Sequence, residues 1–284
     1  MKKHLFLIAL AGFAFASCVK NEVATPESEG VKIGFASPVM YSNVNTKANF
    51  YGEISNNTYP EDESFKIFAV QHTGDLVSWA NAAACEFNGQ NISYDPNLGA
   101  WAPKNTVSGS YYYWPAGQLL SFAAVSPADL GLGESCQPEY SATGLEIENF
   151  VVNDSPAMQY DLLFSKRAVN MASSNMIDEE DYYSGIPIEF KHALTSINFA
   201  IKKDADILDE VLLKKIEVVN AKNKGSFSEK ITNETAYASS PEWNVSTEAS
   251  DVQDYVAFSG SVAFPTQHTS VSTLDADNTY TLLL

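Results

Sequence analysis

The chain has 284 residues, with 17 Lys and Arg against 35 Asp and Glu and a formal net charge of −18. Such a surface repels phosphate backbones and anionic headgroups, which argues against nucleic acid as a partner. Hydrophobic residues make up 45% and aromatics 12%; that is too much apolar surface for a disordered chain, and the spread of Val, Ile, Thr, Tyr and Phe points to an all-β protein.

At the N-terminus Lys2, Lys3 and His4 precede an apolar run from Leu5 to Phe15, followed by the small pair Ala16 and Ser17. This positive, apolar, small-residue order is that of an export signal over residues 1–17. The run is too short to cross a hydrocarbon core about 30 Å thick, which needs roughly 20 apolar residues. The next residue is Cys18, as in the lipobox of bacterial lipoproteins, where the thiol is acylated and the cleaved chain starts at the modified cysteine. A plain secretory signal with a chance cysteine is the alternative. Acyl chains contribute about 0.8 kcal/mol per buried CH₂, so several of them would hold the chain on a bilayer. Residues 18–30 contain little to bury and read as a tether.

From residue 31 short apolar segments recur between Gly, Pro, Asn and Asp clusters, a spacing suited to a β-sandwich. Predicted strands are Val31–Met40, Ser64–Gln71, Ser110–Trp114, Leu119–Val125, Leu145–Val152 and Tyr160–Ser165. Leu145 and Ile147 alternate with Glu146 and Glu148, the period of a half-buried strand. "LLSFAAV" at 119–125 is nearly continuous and suits a strand covered on both faces. Before it, "WPAGQ" combines a proline with a glycine and reads as a turn. These strands make an N-terminal sandwich over 31–169, and the small, polar and acidic stretch 170–185 reads as a linker.

A second sandwich is expected over 186–284. Ile186, Ile188 and Phe190 alternate, then Ile197, Phe199 and Ile201 alternate on the opposite parity, so "KHALTS" between them should hold a bulge or short turn. In "ADILDEVLLKK", Ile207, Leu208, Val211 and Leu212 have the spacing of a short helix. Later strands are predicted at Lys215–Asn220, Tyr255–Phe264 and Thr279–Leu284. The sequence stops inside an apolar run, so the second sandwich is expected to be incomplete.

No catalytic constellation is visible: there is no phosphate loop, no G-x-S-x-G, no paired-histidine zinc motif and no C-x-x-C. No enzymatic activity, cofactor or metal is expected. His72, His192 and His268 are far apart, and His192, in an apolar strand, reads as a hydrogen-bonded core or rim histidine. Asp178–Asp181 lacks the spaced donors and turn glycine of a calcium loop and reads as solvated linker. Tyr111, Tyr112, Tyr113 and Trp114 could stack on sugars, but alternation turns half of them inward, which favours core packing. Cys85 and Cys136 could bridge in an oxidising compartment or remain buried thiols.

Taken together, the lipobox, "IGFASPV", "TKANFY", "SFKIFAV", "YYYWPAGQLLSFAAVSP", "YDLLFSK", "IPIEFKHALTSINFAIK", "KKIEVVNAKNKGSFS" and "NTYTLLL" resemble, in order and spacing, the fimbrillin family of Bacteroidetes-type lipoprotein pilins. The resemblance implies two tandem transthyretin-like, Greek-key β-sandwiches, export to the outer membrane as a lipoprotein, and assembly into surface fimbriae for adhesion. It further implies that a trypsin-like protease cuts downstream of the anchor and releases the first strand, so that a donor strand from the next subunit fills the groove. On this sequence the lipidated residue is Cys18, and the removable strand carries Ile33, Phe35 and Val39, with Ile33 and Phe35 facing inward. The cut falls between Lys47 and Ala48, with lysine where arginine is usual. The partners implied are other fimbrial subunits and the outer membrane. The alternative is a non-polymerising surface lipoprotein that binds glycans or host proteins through exposed Trp79, Trp101 or Trp243.

Overall fold

The first strands in chain order are β1 (Val39–Met40), β2 (Ser64–His72), β3 (Asn88–Asp95), β4 (Ala100–Pro103) and β5 (Leu119–Ser126). Then come β6 (Pro138–Ser141), β7 (Gly144–Val151), β8 (Leu163–Ser165), β9 (Ala168–Met171), β10 (Glu189–His192), β11 (Ser196–Ile197) and β12 (Ala200–Ile201). The last are β13 (Leu212–Lys222), β14 (Lys224–Asn233), β15 (Ala238–Val245), β16 (Val252–Ala263), β17 (Thr269–Ser270) and β18 (Leu282–Leu283). The computed structural model describes residues 32–40, 58–75, 79, 87–97, 99–103, 112–129, 136–173, 185–233, 238–270 and 282–283. Among these the fold is all-β, with a 3-10 turn at Pro156–Met158.

The largest sheet has eight strands in the order β1-β10-β8-β5-β2-β3-β4, with β9 added on β5. Its central strands are apolar on both faces. Phe65, Ile67 and Ala69 of β2 and Leu120, Phe122 and Ala124 of β5 point into one core, together with Phe35, Trp101 and Phe190. Phe68 and Val70 of β2 and Ala123 and Val125 of β5 point into a second core. The nearly continuous run at 119–125 is therefore a strand covered on both sides, as its sequence predicts. Even Ser121 is buried there, its Oγ within 2.8 Å of His72 Nε2 and accepting from the Asn170 amide at 2.9 Å.

The second core is closed by a four-stranded sheet in the order β15-β14-β7-β6. Leu145 and Ile147 of β7, Tyr140 of β6 and Phe227 of β14 face inward, so the alternation of Leu145 and Ile147 with two glutamates is that of a strand with one wet face. The predicted turn at 114–118 is present, with the Gln118 amide donating to the Pro115 carbonyl and Gly117 at φ 67°. Ala193 and Leu194 bend between β10 and β11, where the change of parity requires it.

Two expectations meet a different arrangement. Strand pairing crosses the predicted division at 186: β10 pairs with β1 and β8, and β14 pairs with β7. Outside these two sheets β11 pairs with β18, β12 with β17 and β13 with β16; Leu213 of β13 and Phe258 of β16 centre a small cluster that includes Ile201 of β12, whereas Ile197 of β11 packs on the second core. The segment 205–211 is not a helix. Leu212 already lies in β13, and Leu208 is 93% exposed with Ile207 at 45%. Helical spacing produces a helix only when a face is well covered, and Ile207, Leu208, Val211 and Leu212 all remain exposed.

Candidate functional site

The segment Lys32–Met40 occupies an unusual place. Phe35 forms an antiparallel bridge with Trp101 of β4 and a parallel one with Ile186, just ahead of β10. Because β4 ends the eight-stranded order and β10 lies next to its opposite end, Lys32–Ala36 joins the two flanks and closes the sheet around its inner core. The Ile33 amide donates to the Tyr112 carbonyl at 2.7 Å and the Phe35 amide to Trp101 at 3.2 Å. On the other flank Ala36 donates to the Ile186 carbonyl at 3.0 Å, Val39 to Ile188 at 2.9 Å, and Ile186 donates back to Gly34 at 3.0 Å. Tyr59 donates its amide to the Pro38 carbonyl at 3.1 Å.

Side chains fix the segment more firmly than this sparse ladder. Ile33 and Phe35 are 3% and 1% exposed. The Phe35 ring meets Phe65, Phe87 and Phe122 edge-on, with centroids at 6.2, 6.3 and 5.9 Å. Full burial of such a ring contributes roughly 2–3 kcal/mol, and each edge-to-face contact adds to that. Gly185 sets the width of the slot: a Cβ there would lie 2.4 Å from the Gly34 carbonyl oxygen, so only glycine lets the two backbones approach this closely.

Register explains which residues face in. Phe35 stands opposite Ile186, whereas Val39 stands opposite Glu189. Four steps on the first segment therefore match three on its neighbour, which is a one-residue bulge that reverses parity. Ile33 and Phe35 point inward as predicted, but past the bulge Pro38 and Met40 do so and Val39 is 47% exposed. Val39 thus does not belong to the buried set that simple alternation from Phe35 would put it in.

Polar groups gather beside the end of this segment. The Tyr59 hydroxyl donates to the Ser64 carbonyl at 2.9 Å and lies 2.7 Å from Ser126 Oγ; burial pushes its pKa far above the ordinary tyrosine range. His192 on β10 has Nδ1 2.8 Å from the buried Asp161 carboxylate. It is a hydrogen-bonded rim histidine, as its strand context suggests. His72 bonds the Gly74 carbonyl and Ser121 instead, and His268 is exposed elsewhere. Among the described residues no three His, Cys, Asp or Glu side chains converge on a possible metal position.

The other predicted residues are distributed as follows. Cys18, Lys47, Ala48, Cys85, Tyr111 and Asp178–Asp181 lie outside the described residues. Cys136 is a fully buried free thiol whose pKa burial pushes up to about 11. Tyr112 packs on the inner core and Trp114 is 8% exposed, so both serve packing. Trp79 and Trp101 are each 2% exposed, which removes them as exposed aromatics for a glycan. Trp243 is half-buried, its indole lying over Phe150 and Phe227 while Nε1 donates to the Ala193 carbonyl at 2.7 Å. All three are occupied in holding strands together. The slot walls Phe65, Phe87, Trp101, Phe122 and Gly185 were not legible as a set, because they meet only through non-local pairing.

No curated protein matches the chain in sequence. Its fold is similar to a crystal structure from Bacteroides uniformis ATCC 8492, provisionally described as a cell adhesion protein, at 12% identity and TM-score 0.47, covering 81% of this chain and 72% of that one. A second, from Bacteroides ovatus ATCC 8483 and described in the same words, is 13% identical at TM-score 0.49, covering 90% of this chain and 78% of that one. The fimbrillin-like family profile matches residues 25–284, nearly all of the sequence that follows the signal-like N-terminus, and the chain belongs to the fimbrillin-like family.

Proposed function

We propose that this protein is a structural and adhesive subunit of cell-surface fimbriae, carried to the outer membrane as a lipoprotein on Cys18. Its first strand, Lys32–Met40, is the removable one. Proteolysis between Lys47 and Ala48 detaches the anchor and this strand from the rest, and a partner subunit's strand takes the vacated slot. Membership of the fimbrillin-like family supports the surface and fimbrial part of this reading.

The observation that carries the strand-exchange part is the seat of Phe35, whose backbone bridges Trp101 on one flank and Ile186 on the other and whose ring is inserted among Phe65, Phe87 and Phe122. Withdrawal of the segment leaves backbone donors and acceptors of Trp101, Tyr112, Ile186 and Ile188 unpaired along an apolar trench. Such an edge favours addition of another extended segment, with main-chain bonds supplying affinity and alternate side chains supplying register. A head-to-tail contact of this kind does not close on itself and gives a filament.

Limited digestion of the purified mature chain by a lysine-specific protease tests it. Cleavage at Lys47 followed by growth of oligomers is expected, and Lys47→Ala should block both. Oligomers that form equally well from Lys47→Ala would overturn the proteolytic step.

A further inference from the structure

The slot holding Lys32–Met40 is asymmetric in three ways that an arbitrary apolar strand would not satisfy. Its flanks have opposite polarity, Trp101 antiparallel and Ile186 parallel to Phe35, so a reversed occupant would face misplaced donors and acceptors on both sides. Its depth is concentrated at one point, where Phe65, Phe87 and Phe122 surround the Phe35 ring. Its register contains the bulge: amides 33 and 35 donate to one flank, amides 36 and 39 to the other, and the buried positions after Phe35 are Pro38 and Met40. Where the occupant's backbone passes Gly185, the wall has no side chain and no room for one.

We propose that this slot reads sequence and direction, taking an extended segment of another protein chain only when three conditions hold. The segment runs as residues 32–40 do. It carries an aliphatic residue two places before an aromatic one. Its next inward residues fall three and five places after that aromatic, instead of the two and four of a regular strand. Gly185 is the positioning residue of the wall, since any side chain there meets the occupant's backbone and holds it out of the slot. This inference rests on the reading of Lys32–Met40 as a replaceable strand and names the chemistry of its replacement.

The test uses the full mature chain with a site-specific protease sequence in place of residues 45–48, cut and then incubated with fluorescent peptides. The parent peptide is VKIGFASPVMY (31–41); the others are its Phe35→Ala form, a form lacking Ser37 and the reversed sequence. The parent peptide is expected to displace the native segment and to bind at least about tenfold more tightly than each of the other three, the loss of a filled aromatic pocket or of register being worth at least that much. Equal binding by the Phe35→Ala peptide overturns the aromatic requirement, and equal binding by the Ser37-less or reversed peptide overturns the reading of spacing or direction. Any of these leaves strand replacement itself standing. Failure of every peptide to exchange into the cut, folded chain overturns both the inference and the replaceable-strand reading. Gly185→Ala should weaken parent-peptide binding by at least about tenfold. The peptide series on the unsubstituted wall is decisive by itself if that variant does not fold.

Discussion

At the scale of single residues, burial separates neighbours that look alike in sequence. Ile33, Phe35 and Val39 share parity and apolar character, yet Phe35 is 1% and Val39 47% exposed. Phe35→Ala should therefore cost about 3–5 kcal/mol in chemical denaturation, whereas Val39→Ala should stay within about 0.5 kcal/mol. Similar losses from both would mean the bulge is misplaced. The family resemblance made Ile33 and Phe35 legible as inward residues; the bulge was not legible, because it is set by the register of Ile186 and Glu189 about 150 residues away. Cys136 is a second case. As a buried thiol with its pKa raised to about 11 by burial, it should remain unalkylated by iodoacetamide at pH 8 in the native protein and react on unfolding, as peptide mapping would show.

At the scale of elements, β2, β5 and β7 were readable from their apolar patterns, and β14 and β15 were not. The inward position of β14 after Phe227 is Glu229, a residue that breaks the expected alternation, and β15 contains Pro241. The structure accommodates Glu229, whose side chain is 2% exposed, by placing Arg167 Nη1 at 3.9 Å and the Tyr140 hydroxyl, which donates to it, at 3.1 Å. These three residues come from β14, the β8–β9 connection and β6, so the pair ties the four-stranded sheet to the larger one. Glu229→Ala removes a carboxylate from beside a buried guanidinium and should destabilise by about 3–5 kcal/mol, while Arg167→Met combined with Glu229→Leu should restore most of the loss. Equal destabilisation by the single and double variants in urea titrations would contradict that role. Pro241 suits an edge strand, where a missing amide donor faces solvent.

At the scale of the whole molecule, the all-β class and the family were legible, whereas the sharing of strands across residue 186 was not, since pairing of β10 with β8 and of β14 with β7 is a property of topology alone. Burial raises the pKa of tyrosines in both cores: Tyr59 in the inner core and Tyr140 between the sheets are pushed far up, and Tyr255 to about 12. Their hydroxyls keep protons in the folded state that the unfolded chain releases above about pH 10, so stability is fully present below that pH and falls as pH rises past it. Thermal melts should show a falling midpoint between pH 9.5 and 11.5, and a flat profile would contradict the burial of these hydroxyls. The central claim is that Lys32–Met40 is a strand the subunit gives up. The intact mass of the protein in assembled material sheared from the native cell surface tests it most directly. A mass beginning at Ala48, beside a membrane-bound pool beginning at acylated Cys18, is the expected result. Assembled material in which every chain still carries residues 18–47 would contradict the account.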